Sequence, residues 1–123
     1  MLDYNLDISQ QSISQPYTSA NVAKSFPFYI NTCGYFEAGS GYYTVRDSKQ
    51  ASLLLFTHAG QGEMKYKDTQ CVLEPGSAVL VNCMALHEYR TISAEPWVFY
   101  WMHFEGKKFN QQWSIFRDIT RRK

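Results

Sequence analysis

The sequence predicts a mainly β fold, a small closed barrel or sandwich with one helix at its C-terminal end. Three observations lead there. From Phe26 to Gly106, seven or eight short runs of apolar or alternating residues are separated by turns marked with Gly and Pro. Aromatic residues make up 16% of the chain; sheets favour aromatic and β-branched residues, whereas helical bundles lean on Leu and Ala. A helical period shows only in the last residues.

The elements follow in order. Residues 1–25 are polar, rich in Ser and Gln, and include Pro16. They read as an extended arm, loosely ordered unless it packs on something. FPFYINTCGYF, from Phe26, alternates as a strand does, and GSGYYTVR gives a short strand after a glycine turn. ASLLLFTH is a continuous apolar run of strand length, expected to be buried on both faces or nearly so. EMKYK and QCVLE alternate on either side of KDT, a hairpin. The Pro75-Gly76 turn opens the strand AVLVN; CMAL then connects to HEYRTI.

Glu95-Pro96 breaks the chain before the aromatic strand WVFYWMHF. On that strand Trp97, Phe99, Trp101 and His103 share one face, and Val98, Tyr100, Met102 and Phe104 share the other. One face must look into the barrel. In GKKFNQQWSIFRDI the residues Phe109, Trp113, Phe116 and Ile119 recur at helical spacing. That stripe either packs on the barrel or forms a dimer contact. The pattern is still helical at TRRK, so the sequence is expected to continue past Lys123.

Charge and cysteine content narrow the functional classes. A chain of 123 residues fits one domain. The net charge of +1 gives no broad electrostatic footprint for nucleic acid. Cys33, Cys71 and Cys83 are odd in number, without C-x-x-C spacing, and sit among apolar or strand-like neighbours. They read as reduced, buried thiols in a cytoplasmic setting. The first residues carry no signal-peptide pattern, and no apolar stretch is long enough to span a membrane. No G-x-S-x-G elbow or nucleophile–histidine pair is evident, and Gly60-Gln61-Gly62 lacks the lysine and helix of a phosphate loop.

The Pro75-Gly76 turn, the apolar strand after it and His87 resemble the second half of the cupin motif. In metal-binding cupins an upstream His-x-His…Glu cluster supplies the other ligands. That cluster would fall within TVRDSKQAS, which holds neither histidine nor glutamate. One imidazole does not make a catalytic site of about three protein ligands, so neither a metal nor another cofactor is expected.

LLLFTHAGQGEMKYKDTQCVLEPGSAVLVNCMALHEYR and PWVFYWMHFEG together resemble the N-terminal regulatory domain of AraC-family transcription regulators. The resemblance covers residues 26–116. It implies a cupin-like double-stranded β-helix, a jelly-roll barrel at 26–106, with the polar N-terminal arm before it and the start of a C-terminal helix or linker at 107–123. It also implies a small-molecule effector, a homodimer, and DNA contact only through a helix-turn-helix region that this sequence does not contain.

In family members that bind arabinose, the resemblance places Arg46, Tyr89 and Trp101 in the ligand pocket, while Phe99 stands where that pocket has a histidine. His103 shares the face of Trp101. Each of these residues also has a plainer reading. Arg46 can be a solvated charge, His87 a hydrogen-bonded structural histidine, and His103 a packed one. An indole face suits one side of a sugar ring, and an arginine fork suits hydroxyls or a carboxylate. The expectation is therefore a non-enzymatic effector-binding domain, with a sugar or sugar-like ligand favoured. Two alternatives stand beside it: a small cupin enzyme such as a sugar isomerase, and a stand-alone carbohydrate-binding module.

Overall fold

A computed structural model describes residues 1–16, 28–106 and 114–116. Its strands are β1 (Leu2–Asn5), β2 (Ile13–Pro16), β3 (Phe28–Ala38), β4 (Tyr43–Arg46), β5 (Ser52–Ala59), β6 (Gly62–Tyr66), β7 (Thr69–Leu73), β8 (Ala78–Asn82), β9 (His87–Thr91), β10 (Trp97–Gly106) and β11 (Ser114–Phe116). They form two antiparallel sheets. One has the order β1-β4-β9-β6-β7, the other β11-β8-β5-β10-β3-β2. The strands expected between Phe26 and Gly106 are all present.

The inner faces of the two sheets make one core. On β5, Leu53 and Leu55 point inward and are fully buried, whereas Leu54 and Phe56 on the outer face are only half-buried. Val79 and Val81 of β8, Met64 of β6 and Leu73 of β7 complete the aliphatic part. The hairpin β6–β7 pairs Tyr66 with Thr69 across Lys67 and Asp68. Lys67 takes the left-handed backbone conformation (φ 52°) that such a short connection demands.

Strand β10 is paired on both edges, to β3 and to β5. Its alternation puts Trp97, Phe99, Trp101 and His103 on the core side. A register shift against β3 between His103 and Phe104 interrupts the alternation, and both of those neighbours are buried. Two indoles on this strand need glycines opposite them. A Cβ at Gly62 would run into the Trp97 ring, and one at Gly34 would lie 2.5 Å from the Trp101 ring. Trp97 thus reaches across the core to β6, its Nε1 donating to Thr57 Oγ1 at 3.1 Å.

The N-terminal arm is ordered β structure over its described part. β1 extends the first sheet, with Leu2 opposite Arg46 and Tyr4 opposite Thr44. β2 extends the second, with Ile13 opposite Tyr35 and Ser14 opposite Gly34. Residues 6–12 therefore cross from one sheet to the other. The crossing is pinned where Ser9 Oγ donates to Glu37 Oε1 at 2.6 Å, the Glu37 amide donates to Ser12 Oγ at 2.9 Å, and the Gly41 amide donates to Asp7 Oδ2 at 2.9 Å. The hydrogen bonds from Ser9 and Tyr35 hold the Glu37 carboxyl below the usual carboxylate range.

At the other end, the expectation of a helix is corrected over the three described residues. Ser114–Phe116 is strand β11, antiparallel to β8. Phe116 therefore belongs to a sheet edge and not to a helix face; pairing with the exposed edge of β8 outweighs a local 3.6-residue pattern. Phe109 and Trp113 lie outside the described residues, as does Ile119.

Because Gly62 and Trp97 share one space, Gly62→Ala lowers the unfolding free energy by about 1–3 kcal/mol in urea denaturation, the usual cost of overpacking. The double variant with Trp97→Phe loses less than the sum of the single changes, because the smaller ring leaves room for the added methyl.

Candidate functional site

Between the barrel and the arm lies a cavity of about 360 Å³. Its inner walls are Phe36, Tyr42, Thr44, Arg46, Tyr89, Trp101 and His103. These residues come from β3, β4, β9 and β10 and from the turn before β4. Its outer wall is the arm, with Leu2, Tyr4, Leu6, Ile8, Ser12 and Ser14. Leu2, Tyr4 and Leu6 remain 55%, 54% and 53% accessible. An apolar stripe thus faces the cavity without side chains enough to cover it.

Of the residues expected at a site, four meet here. Arg46 and Tyr89 come from one sheet, Trp101 and His103 from the other. Phe99 does not reach the cavity. It is buried beneath it, edge-on to Phe36 at 5.7 Å between centroids and 4.1 Å from the Trp97 ring. His87 is fully buried behind the wall, opposite Arg46 in the β4–β9 register and stacked on Tyr89 at 6.2 Å.

The hydrogen bonds fix the tautomers. Arg46 Nη1 lies 3.1 Å from His103 Nε2. A guanidinium can only donate, so Nε2 accepts and the His103 proton sits on Nδ1. His87 Nδ1 lies 2.9 Å from the Ala85 carbonyl, so it donates and leaves Nε2 as a bare acceptor. Among the described residues, His103 Nδ1, Trp101 Nε1 and His87 Nε2 are buried without a hydrogen-bond partner. Two of these are N–H donors, and both belong to residues that line the cavity.

Burial decides the protonation states. It pushes the His103 pKa down to about 3, helped by the positive charge of Arg46, and it lowers that of His87 as well. Both imidazoles are neutral near pH 7. Burial raises the Tyr42 and Tyr89 phenols, so they too stay neutral. Their hydroxyls and that of Thr44 are tied into one cluster, with Thr44 Oγ1 donating to Tyr42 OH at 3.1 Å. Cys83 is pushed up to about 11 by burial, which leaves it a thiol and a poor nucleophile.

Arg46 is the charge of the site, and no carboxylate among the described residues forms an ion pair with it. Nor do three or more His, Cys, Asp or Glu side chains among the described residues gather as a metal site would require. Cys33, Cys71 and Cys83 form no disulfide with one another. No helix among the described residues is long and apolar enough to cross a membrane.

The signal that could have found the outer wall lies in LDYNLDI. Its apolar residues alternate strictly, so Leu2, Tyr4, Leu6 and Ile8 present one face despite polar neighbours. Phe36 and Tyr42 carried no comparable mark, since the chain is dense in aromatic residues.

Two facing antiparallel sheets around a ligand-sized cavity define a cupin-type barrel. Solved structures agree in fold. The chain is similar to the cupin domain of an XRE-family transcriptional regulator from Enterobacter cloacae, with a TM-score of 0.57 and 19% identity over 76% of this chain and 96% of that one. It is also similar to the protein YhaK from Escherichia coli, with a TM-score of 0.71 and 11% identity over 88% of this chain and 51% of that one, so it spans about half of YhaK. The cupin domain of Cnp3 from Schizosaccharomyces pombe gives 0.58 and 18% over 78% and 66%. The family model of the AraC-like ligand binding domain matches residues 29–122, and the chain belongs to that family. No curated protein matches the chain.

The two depressed histidines give the fold a pH dependence. Above the ordinary histidine value of 6.5, folded and unfolded chains are equally neutral at these positions. Below it, the unfolded chain takes up protons that the folded one refuses, so stability falls as the pH drops from 6.5 towards 3. The slope is about 1.4 kcal/mol per pH unit for His103 between those values, and His87 adds to it in the same direction. Urea denaturation at pH 7, 6 and 5 reads it, and His103→Gln flattens the slope by removing one of the two.

Proposed function

We propose that this chain is the effector-sensing part of an AraC-family transcription regulator and that it binds a small molecule between barrel and arm. The observation that carries this reading is the cavity itself. It holds a guanidinium that no carboxylate among the described residues pairs and an accessible apolar stripe, both of which a bound molecule would satisfy. We take residues 26–106 as the barrel, residues 1–25 as its arm, and residues 107–123 as leading towards a DNA-binding region. Arg46, Tyr89, Trp101 and His103 are the contact residues. Phe99 and His87 support them from behind: Phe99 underlies Phe36, and His87 backs Tyr89.

The leading ligand class is a sugar or a sugar-derived metabolite, because an indole face and a donor fork suit such a ring. Binding would act by differential affinity, favouring one disposition of the arm or of a homodimer over another. The protein is then a cytoplasmic sensor and not a catalyst. That part of the reading is supported by family membership. The rival, a small cupin enzyme, predicts turnover of the bound molecule.

A panel of sugars and metabolites in thermal-shift and calorimetric titrations tests the proposal. A true effector at a hundredfold excess over its Kd stabilises the fold by about 2.7 kcal/mol. Trp101→Ala abolishes that response. If nothing in the panel binds and Trp101→Ala leaves every response unchanged, the cavity is not an effector site.

A further inference from the structure

The hydrogen-bonding character of the cavity is lopsided. Among the described residues, no Asp, Glu, Asn or Gln lines it. A neutral polyol brings a donor with every hydroxyl, and burial is costly unless those donors find acceptors. Here the candidate acceptors are hydroxyls, and those at the inner wall are largely engaged, while Tyr4 and Ser14 offer theirs from the arm. Tyr42, Thr44 and Tyr89 bond one another, and Ser12 Oγ accepts the Glu37 amide. The donors, by contrast, are in surplus. Arg46 contacts His103 and Cys83 and has further N–H groups on the cavity wall, and just behind that wall the Trp101 and His103 rings each hold an N–H closed off from solvent and without a partner. The two rings lie 5.5 Å apart between centroids, so the three donor side chains form one row.

We infer that the effector is an organic acid whose carboxylate sits on Arg46, with an apolar body turned towards Phe36 and the arm. The inference rests on the sensing role proposed above and replaces the neutral sugar by an acid, sugar acids included. A carboxylate offers only acceptors, and its planar pair of oxygens matches a guanidinium edge. It also supplies the negative charge that no carboxylate among the described residues gives to Arg46. His103, already accepting from Arg46, fixes the guanidinium in position.

Matched pairs of acid and neutral twin test this on the full chain: galacturonate with galactose, benzoate with benzamide, and cinnamate with cinnamamide. Thermal shift and calorimetry at up to 10 mM read binding. At least one acid is expected to bind at least about tenfold more tightly than its twin, as a charge-assisted contact should. Arg46→Met is expected to remove that preference, and Arg46→Lys to restore part of it; circular dichroism melts verify that both variants fold.

Neutral twins that bind as well as the acids overturn the carboxylate and leave the sensing role standing. Acid binding indifferent to Arg46→Met does the same. If no member of any pair binds, the inference is overturned, and the sensing role fails with it unless the wider panel supplies an effector.

Discussion

Strand β10 is the constraint on which the rest depends. It is hydrogen-bonded on both edges, so its register is fixed twice, against β3 and against β5. With the register fixed, the period of two assigns each inward side chain a depth. Trp97 is fully buried in the core, Phe99 packs beneath Phe36, Trp101 walls the cavity, and His103 meets Arg46 from the facing sheet. A slip of one residue would turn all four outward. The glycines at 34 and 62 belong to the same constraint, since two indoles on one strand require that neighbouring backbone give up its side chains.

The electrostatics of the cavity follow from this packing. An arginine on β4 faces histidines that burial keeps neutral, and its charge adds to that of Lys49 in depressing His103. The neutral His103 can then accept a hydrogen bond from the guanidinium, which an imidazolium could not. The same burial holds the phenols and Cys83 in their protonated forms. The site is thus one permanent charge in a neutral, largely aromatic surround, an arrangement suited to binding by complementarity.

Much of this was legible in the sequence. The strands from β3 to β10 follow from alternation and from turn residues, because each has one face on the core and one away from it. Trp101 and His103 follow from the same rule once Trp97 is placed inside. The arm was less legible: composition marked it as polar, whereas Leu2, Tyr4, Leu6 and Ile8 carry the strand signal in their spacing. Their face covers a cavity and not a core, so few apolar residues are needed and the segment looks hydrophilic. At the other end, the helical spacing through Phe116 was a true local pattern overridden by a partner, the edge of β8. His87 and Phe99 point inward as alternation requires, but periodicity alone does not separate the lining of a cavity from the packing behind it.

The arm joins both sheets, and this makes it a bivalent ligand of its own barrel. β1 and β2 are each four residues long, too short to hold firmly alone. Tethered through residues 6–12, each raises the effective concentration of the other at its sheet edge. Attachment therefore behaves cooperatively: freeing either strand weakens the hold of the second. A modest change in free energy at either edge is then read out over the whole segment, giving the arm a sharper response than a single strand of the same total length could have.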